Sequence, residues 1–303
     1  MNRSLTAVCG ALASVTLLMP AVGASRFSDW STPVNLGATI NTTFGDEHPA
    51  ISKDGLSLYF QSGRPGGYGG IDIYVAHRDA TGLPWDPPRN LGPVINTASL
   101  EVTPALSRDG HYLFFASPRA TGSADVFVSY RPDVHDDFGW ESPIMLGSGI
   151  NSVFGDTGPS FFENDDYGLP QLYFNSARPS GLGSSDIYVA GMNTSGEFAP
   201  AVLVRELSSP QNDVTADIFR NGTEIFLQSD RLGGVGGADL WMSTRESPLD
   251  PWSAPHNMGT IVNSIATDGG PSIASDGETL FFYSTRLGGQ GAGDLYMTTR
   301  VKR

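Results

Sequence analysis

One unit of about 55 residues is written five times along this chain. Its linking segments read WSTPVNLGATINT from Trp30, WDPPRNLGPVINT from Trp85 and WESPIMLGSGINS from Trp140, then a degenerate FAPAVLVRELSS from Phe198 and WSAPHNMGTIVNS from Trp252. Each is followed by a second, matching half, such as PAISKDGLSLYFQSGRPGGYGGIDIYVAHR from Pro49 or, after the last linker, PSIASDGETLFFYSTRLGGQGAGDLYMTTR from Pro271. A fixed period of this length signals a repeat architecture and constrains the fold more than composition does.

Inside one unit the order of elements is legible. A short run ending at Ile51 meets Asp54-Gly55, a dipeptide that reverses a hairpin because both residues tolerate positive φ. Leu58-Tyr59-Phe60 makes a second strand, Ile71 to Ala76 a third after a Gly-rich loop, and Trp85 to Leu91 a fourth. Four antiparallel strands repeated radially, with no helical insertions, predict an all-β, five-bladed β-propeller. The chain opens on a fourth-strand segment, Trp30 to Leu36, and closes on a third strand, Asp294 to Thr299, so the N-terminal strand is expected to join the last blade and close the ring. The competing arrangement, a β-solenoid, would not need an incomplete unit at each end.

The first residues carry Arg3, an apolar run from Leu5 to Met19, Pro20 and the small-residue site Val22-Gly23-Ala24. This is the pattern of a signal peptide over 1–24, with the propeller occupying 25–303, and it predicts export to the periplasm or extracellular space. Cys9, the one cysteine, lies in the leader, which leaves no disulfide framework in the mature chain. The formal charge of −14 argues against nucleic acid as a partner. No later apolar run approaches the ~20 residues of a membrane-spanning helix, so membrane insertion is not expected.

The string L-Y-F-x-S-x-R-x-G-G-x-G-G-x-D-I-Y, preceded by P-x-x-S-x-D-G, resembles the WD40-like (PD40) repeat of TolB-type propellers. The resemblance covers nearly all of the predicted mature chain and is similar in particular to five-bladed propellers of the cell envelope. It implies the fold; such propellers serve as binding platforms and as enzymes.

Candidate site residues fall into a repeated and a non-repeated set. Three residues before each Pro, or before Ala216, an acid recurs: Asp46, Glu101, Asp156, Asp213 and Asp268. Blade symmetry places them as a ring near one mouth of the central channel, where carboxylates can bind a cation or hydrolyse glycosides. Arginine recurs at Arg64, Arg119, Arg178, Arg231 and Arg286, with a planar fork suited to clamping either the ring acids or the repeated Asp72, Asp125, Asp186, Asp239 and Asp294. A residue type repeated once per blade reads first as architecture. The blades differ at Glu47, His48 and Tyr68 in the first, at Ala120-Thr121-Gly122 in the second, at an insertion around Asn164 to Tyr167 in the third and at Asp217 in the fourth. The face carrying the loops before Pro49 and after Phe60 is the expected functional one. The Gly-rich loops read as tight turns, since no helix follows to make a phosphate cradle, and the Trp and Tyr repeats read as packing between blades.

No nucleophile-elbow or zinc-protease motif is present, so the sequence favours a non-catalytic module presenting a loop face to a protein or glycan. The alternative is a glycan-active hydrolase or lyase using channel-mouth carboxylates. No cofactor is identified; a Ca2+ ion held by loop oxygens is a third reading, although no loop matches a calcium-binding pattern.

Overall fold

A computed structural model describes residues 27–163 and 168–303. The predicted leader and the blade-three insertion at 164–167 lie outside the described residues.

The chain forms five four-stranded antiparallel sheets. The innermost strands are Asp46–Ile51, Val102–Leu106, Asp156–Phe162, Asp213–Ile218 and Asp268–Ile273. Each is followed outward by two strands of the same blade and a two-residue fourth strand, such as Arg89–Asn90. In the last blade the fourth strand is Val34–Asn35, which pairs with Met297 and Tyr296. A second bridge, Phe27 to Lys302, reinforces this closure. Ring and closure are as the repeat phase predicts.

The core is distributed over the five blade interfaces. Each buried apolar cluster draws on two neighbouring blades: Leu113 and Phe115 meet Tyr59 and Ile73 between blades one and two, for instance. The linker aromatics cross these interfaces, Trp30 lying edge-on to Phe226 of blade four, Trp85 to Phe281 of blade five and Trp140 to Tyr59 of blade one. Tyr59, Tyr74, Tyr173 and Tyr188 are buried in the same clusters. Four of these aromatics also carry an arginine from the end of the third strand. Arg78 covers Trp85, Arg131 Trp140, Arg245 Trp252 and Arg300 Trp30, at 4.0 to 4.5 Å from ring centroids. Each Nε donates to the glycine carbonyl of its own hairpin turn: Gly55, Gly110, Gly222 and Gly277. Blade three has Met192 where the others have this arginine, and Phe198 where they have Trp, so cation and indole are lost together.

The repeated proline has a local cause. In every innermost strand the ladder slips by one residue, as between Glu47, opposite Gln61, and Ala50, opposite Tyr59. The slips recur at Val102/Ala105, Thr157/Ser160, Val214/Asp217 and Gly269/Ser272. Two residues there face one, a β-bulge, and a bulge tolerates the missing N–H of proline. The residue before the proline, or before Ala216 in blade four, takes positive φ in all five blades: His48 at 50°, Thr103 at 50°, Gly158 at 60°, Thr215 at 43° and Gly270 at 57°.

These bulges form a belt around the channel and are tied blade to blade. Gln61 accepts from Thr103 N–H, Thr103 Oγ1 from Gly158 N–H, Asn175 from Thr215 N–H and Gln228 from Gly270 N–H. The fifth junction is a ring contact, His48 against Tyr283 at 5.0 Å. A Cβ on Gly270 would lie 2.8 Å from His48 Nδ1 and 3.0 Å from Tyr283 Cδ1. Gly270→Ala is therefore expected to cost about 2–4 kcal/mol in urea unfolding, from overpacking plus left-handed strain. Gly37→Ala, also at positive φ but facing open space, should cost only about 1 kcal/mol.

Candidate functional site

The ring acids and repeated arginines meet within each blade. Asp46 is fully buried and pairs with Arg64 at 2.6 Å; Glu101 pairs with Arg119 at 2.8 Å, Asp156 with Arg178 at 2.7 Å and Asp268 with Arg286 at 2.5 Å. Asp213 and Arg231 make the same pair. The other donors also repeat. Asp46 Oδ1 accepts from Ser62 at 2.5 Å, and Oδ2 from the backbone and hydroxyl of Thr42 at 2.6 and 2.8 Å. Arg64 reaches on to the Ile40 carbonyl and lies over the rings of Tyr74 and Phe60. The acid thus pins the linker to the second strand.

The second acid repeat organises the Gly-rich loops. Asp72 accepts from the N–H groups of Tyr68 and Gly69 and from Asn90, which fixes the loop against the fourth strand. Tyr68 itself is exposed.

A cavity of about 120 Å3 occupies the axis of the ring. It runs from the bulge belt, with His48, Thr103 and Thr215 at one end, to residues just past the ends of the innermost strands, such as Lys53 and Arg108. It therefore lies in the half of the channel opposite the face expected from the sequence. The innermost strand runs from its ring acid down to its hairpin turn, so side chains beyond the bulge line this half.

Two of the non-repeated candidates converge here. Asp217 accepts from Ser160 Oγ of blade three at 3.0 Å and from Ile273 N–H of blade five at 2.8 Å, joining three blades in the cavity wall. Burial pushes its carboxyl up to about 6, against those hydrogen bonds. His48 closes the inner end of the cavity; burial pushes its imidazole down to about 4, and its Nδ1 has no partner among the described residues. Glu47 is the next residue along but does not line the cavity. Its carboxyl accepts from Gln61 and is raised by burial. Burial first, and Glu47 second, push the Tyr283 phenol up to about 12.

The outer rim of the cavity was not anticipated. It is Lys53, Arg108, Glu163, Arg220 and Ser275, one residue per blade. Four of them precede a hairpin turn, in Lys53-Asp54-Gly55, Arg108-Asp109-Gly110, Arg220-Asn221-Gly222 and Ser275-Asp276-Gly277, and Glu163 stands at the same distance from its blade's proline, Pro159. That aligned column is the signal in the sequence. Glu163 Oε2 accepts from Arg108 N–H at 3.1 Å. Among the described residues no group of three or more His, Cys, Asp or Glu is gathered as a metal site, and no helix is long and apolar enough to cross a membrane.

No protein-family model matches the chain, and no curated protein matches it. Solved structures do. An α-L-arabinofuranosidase from Lactobacillus brevis is similar with a TM-score of 0.61 and 16% identity, over 87% of this chain and 92% of its own. A GH43_1 enzyme from Xanthomonas citri, complexed with xylose, gives 0.59 and 16% over 88% and 89%. A TolB-like protein from Agrobacterium tumefaciens gives 0.50 and 16% over 86% and 79%. At these identities the likeness is one of fold, and the fold is the five-bladed β-propeller. The expectation of a non-catalytic interaction module is overturned by this comparison, because the similar structures are mostly arabinofuranosidases, xylosidases and arabinanases of the GH43 and GH62 kind.

Proposed function

We propose that the protein is a glycan-active enzyme, a glycoside hydrolase that takes the end of a glycan into the axial cavity. The observation that carries this reading is Asp217, a carboxyl in the cavity wall that burial pushes up to about 6 and that forms no ion pair among the described residues. A glycosidase needs one such proton-bearing carboxyl and a second carboxyl across the scissile bond. Glu163, on the neighbouring blade and lining the same cavity, is the second. In this reading Asp217 gives its proton to the glycosidic oxygen as the C–O bond breaks. Glu163 takes a proton from the water that supplies the new hydroxyl. Ser160 orients Asp217 from the side.

The clamped ring acids support the same assignment by contrast of charge. Asp46, Glu101, Asp156, Asp213 and Asp268 are each paired with an arginine in their own blade, whereas Asp217 forms no ion pair among the described residues. At about 120 Å3 the cavity is below the ~300 Å3 of typical drug-sized ligand pockets, which suits one terminal sugar rather than a continuous chain. The neighbours named for arabinose- and xylose-releasing enzymes support a glycan ligand. We further read the repeat as PD40 on the residues quoted above, and the chain as exported, on the leader pattern of 1–24.

Incubation with arabino- and xylo-oligosaccharides, neutral and acidic, followed by chromatographic separation of products, tests the reading. Release of single sugars is expected, with Asp217→Asn lowering kcat by about 100-fold or more while binding persists. Turnover equal to wild type in Asp217→Asn would remove Asp217 from the chemistry, and absence of turnover on every glycan would remove the enzyme reading.

A further inference from the structure

Lys53, Arg108 and Arg220 stand out against the rest of the protein's charge. The chain has 18 Lys and Arg against 32 Asp and Glu. Most of its described arginines are committed: five clamp the ring acids and four lie over the linker aromatics. The three rim cations take no part in either repeat. None forms an ion pair among the described residues, and no side-chain hydrogen bond ties any of them down; Arg220 has only a distant approach to its neighbour Phe219, at 6.0 Å. They nevertheless occupy three of the five equivalent positions around one cavity mouth, against a single acid, Glu163. Like charges gathered there without ion-pair partners among the described residues repel one another, and the two clamp and stacking repeats give no reason for the arrangement. A recessed mouth with low-dielectric walls concentrates the field of such a collar, and Arg forks match the flat, two-oxygen geometry of a carboxylate or the oxygens of a sulfate ester.

We propose that the axial cavity accepts an anionic sugar, with Lys53, Arg108 and Arg220 receiving its acidic group at the rim. This names the substrate class for the glycan reading above and rests on it. A neutral terminal sugar would leave three rim cations facing the one rim acid, Glu163. An acidic one adds a counter-charge to the collar and is drawn toward the mouth despite the overall negative charge of the protein, since screening confines the repulsion of distant surface carboxylates to about 10 Å at ordinary salt.

The experiment is isothermal titration of the full chain with galacturonic-acid oligosaccharides, the matching carboxyl-reduced neutral oligosaccharides, a sulfated disaccharide and tripolyphosphate. The expected result is binding of the acidic sugars about tenfold or more tighter than the neutral ones, with the gap closing as ionic strength rises and the screening length falls toward ~3 Å. The triple variant Lys53→Gln/Arg108→Gln/Arg220→Gln should lose the gap while its melting temperature stays near that of wild type. Single Arg108→Gln and Arg220→Gln variants give intermediate gaps and cover the case of a poorly folding triple variant. The uronate and sulfate arms decide which anionic group is preferred. Neutral sugars binding as tightly as acidic ones, or an undiminished gap in the variants, would overturn the inference and leave the glycan reading standing. Tripolyphosphate binding as tightly as the sugars would reduce the collar to a general anion site and also overturn it. Absence of binding by every sugar, neutral and acidic, would overturn both.

Discussion

Arg178→Met is expected to destabilise the protein by about 3–5 kcal/mol, because it leaves the fully buried Asp156 carboxylate without its cation. Two donors remain to Asp156, the backbone and hydroxyl of Ser152, and they do not replace the guanidinium charge. Urea unfolding reads the loss directly; for a chain of this size it corresponds to a fall in Tm of roughly 10 °C. The double variant Arg178→Met/Asp156→Leu should recover much of the loss, since an apolar pair of similar volume removes the orphaned charge. The corresponding change in each other blade, at Arg64, Arg119, Arg231 or Arg286, should give a loss of similar size, because every clamp joins the same linker to the same strand. A loss confined to turnover, with stability intact, would assign these acids to chemistry instead.

The second large effect is a pH dependence that two groups conceal from each other. Asp217 holds its proton to about pH 6 when folded, against 3.8 for the free carboxyl. Between those values the native chain keeps a proton that the unfolded chain has released. Its stabilising contribution is therefore complete below about pH 4 and is lost as the pH rises to 6, a change of roughly 3 kcal/mol. His48 runs the other way. Its folded value of about 4 lies below the ordinary 6.5, so the unfolded chain takes up a proton that the native imidazole refuses. That contribution is complete above 6.5 and is lost as the pH falls to 4, again by roughly 3 kcal/mol. The two slopes are opposed over nearly the same window. Asp217→Asn should unmask the histidine, making stability rise with pH from 4 to 6.5, and should also make the protein more stable than wild type at neutral pH. His48→Asn, which suits the left-handed backbone at this position, should unmask the aspartate and give stability that falls with pH. Chemical denaturation at half-unit pH steps checks both, and parallel curves for the two variants would show that the groups do not titrate as described.

The propeller, its five blades and its closure are legible in the sequence because they depend on the repeat alone, and a repeat is visible without coordinates. The pairing of ring acid and arginine was within reach for the same reason: both recur in phase, and a planar cation seeks a carboxylate. The repeated proline was visible, but its cause was not. A bulge is a relation between two strands, and no spacing within one strand reports it. His48 and Asp217 are visible in the sequence as departures from the repeat, but the cavity that both line is not, because it lies on the hairpin-turn side and not on the loop face that the repeated acids mark. The ring acids drew attention to their own face, whereas their oxygens are consumed within each blade. The rim of Lys53, Arg108, Glu163 and Arg220 is not legible in the sequence, because charged residues at the end of a hairpin strand read as ordinary solvated positions. Their common height around one axis appears only when the five hairpins are placed side by side.

The central claim is that the glycan sits in the axial cavity on the hairpin-turn side. A crystal structure of the Asp217→Asn protein with the oligosaccharide that wild type cleaves tests it most directly. The account predicts a terminal sugar inside the ring, with the amide of the substituted residue near the glycosidic oxygen, Glu163 on the other side of the bond and the rim cations around the acidic group. A sugar bound on the opposite face, against Glu47 and the loop of Tyr68, with the axial cavity empty, would contradict it.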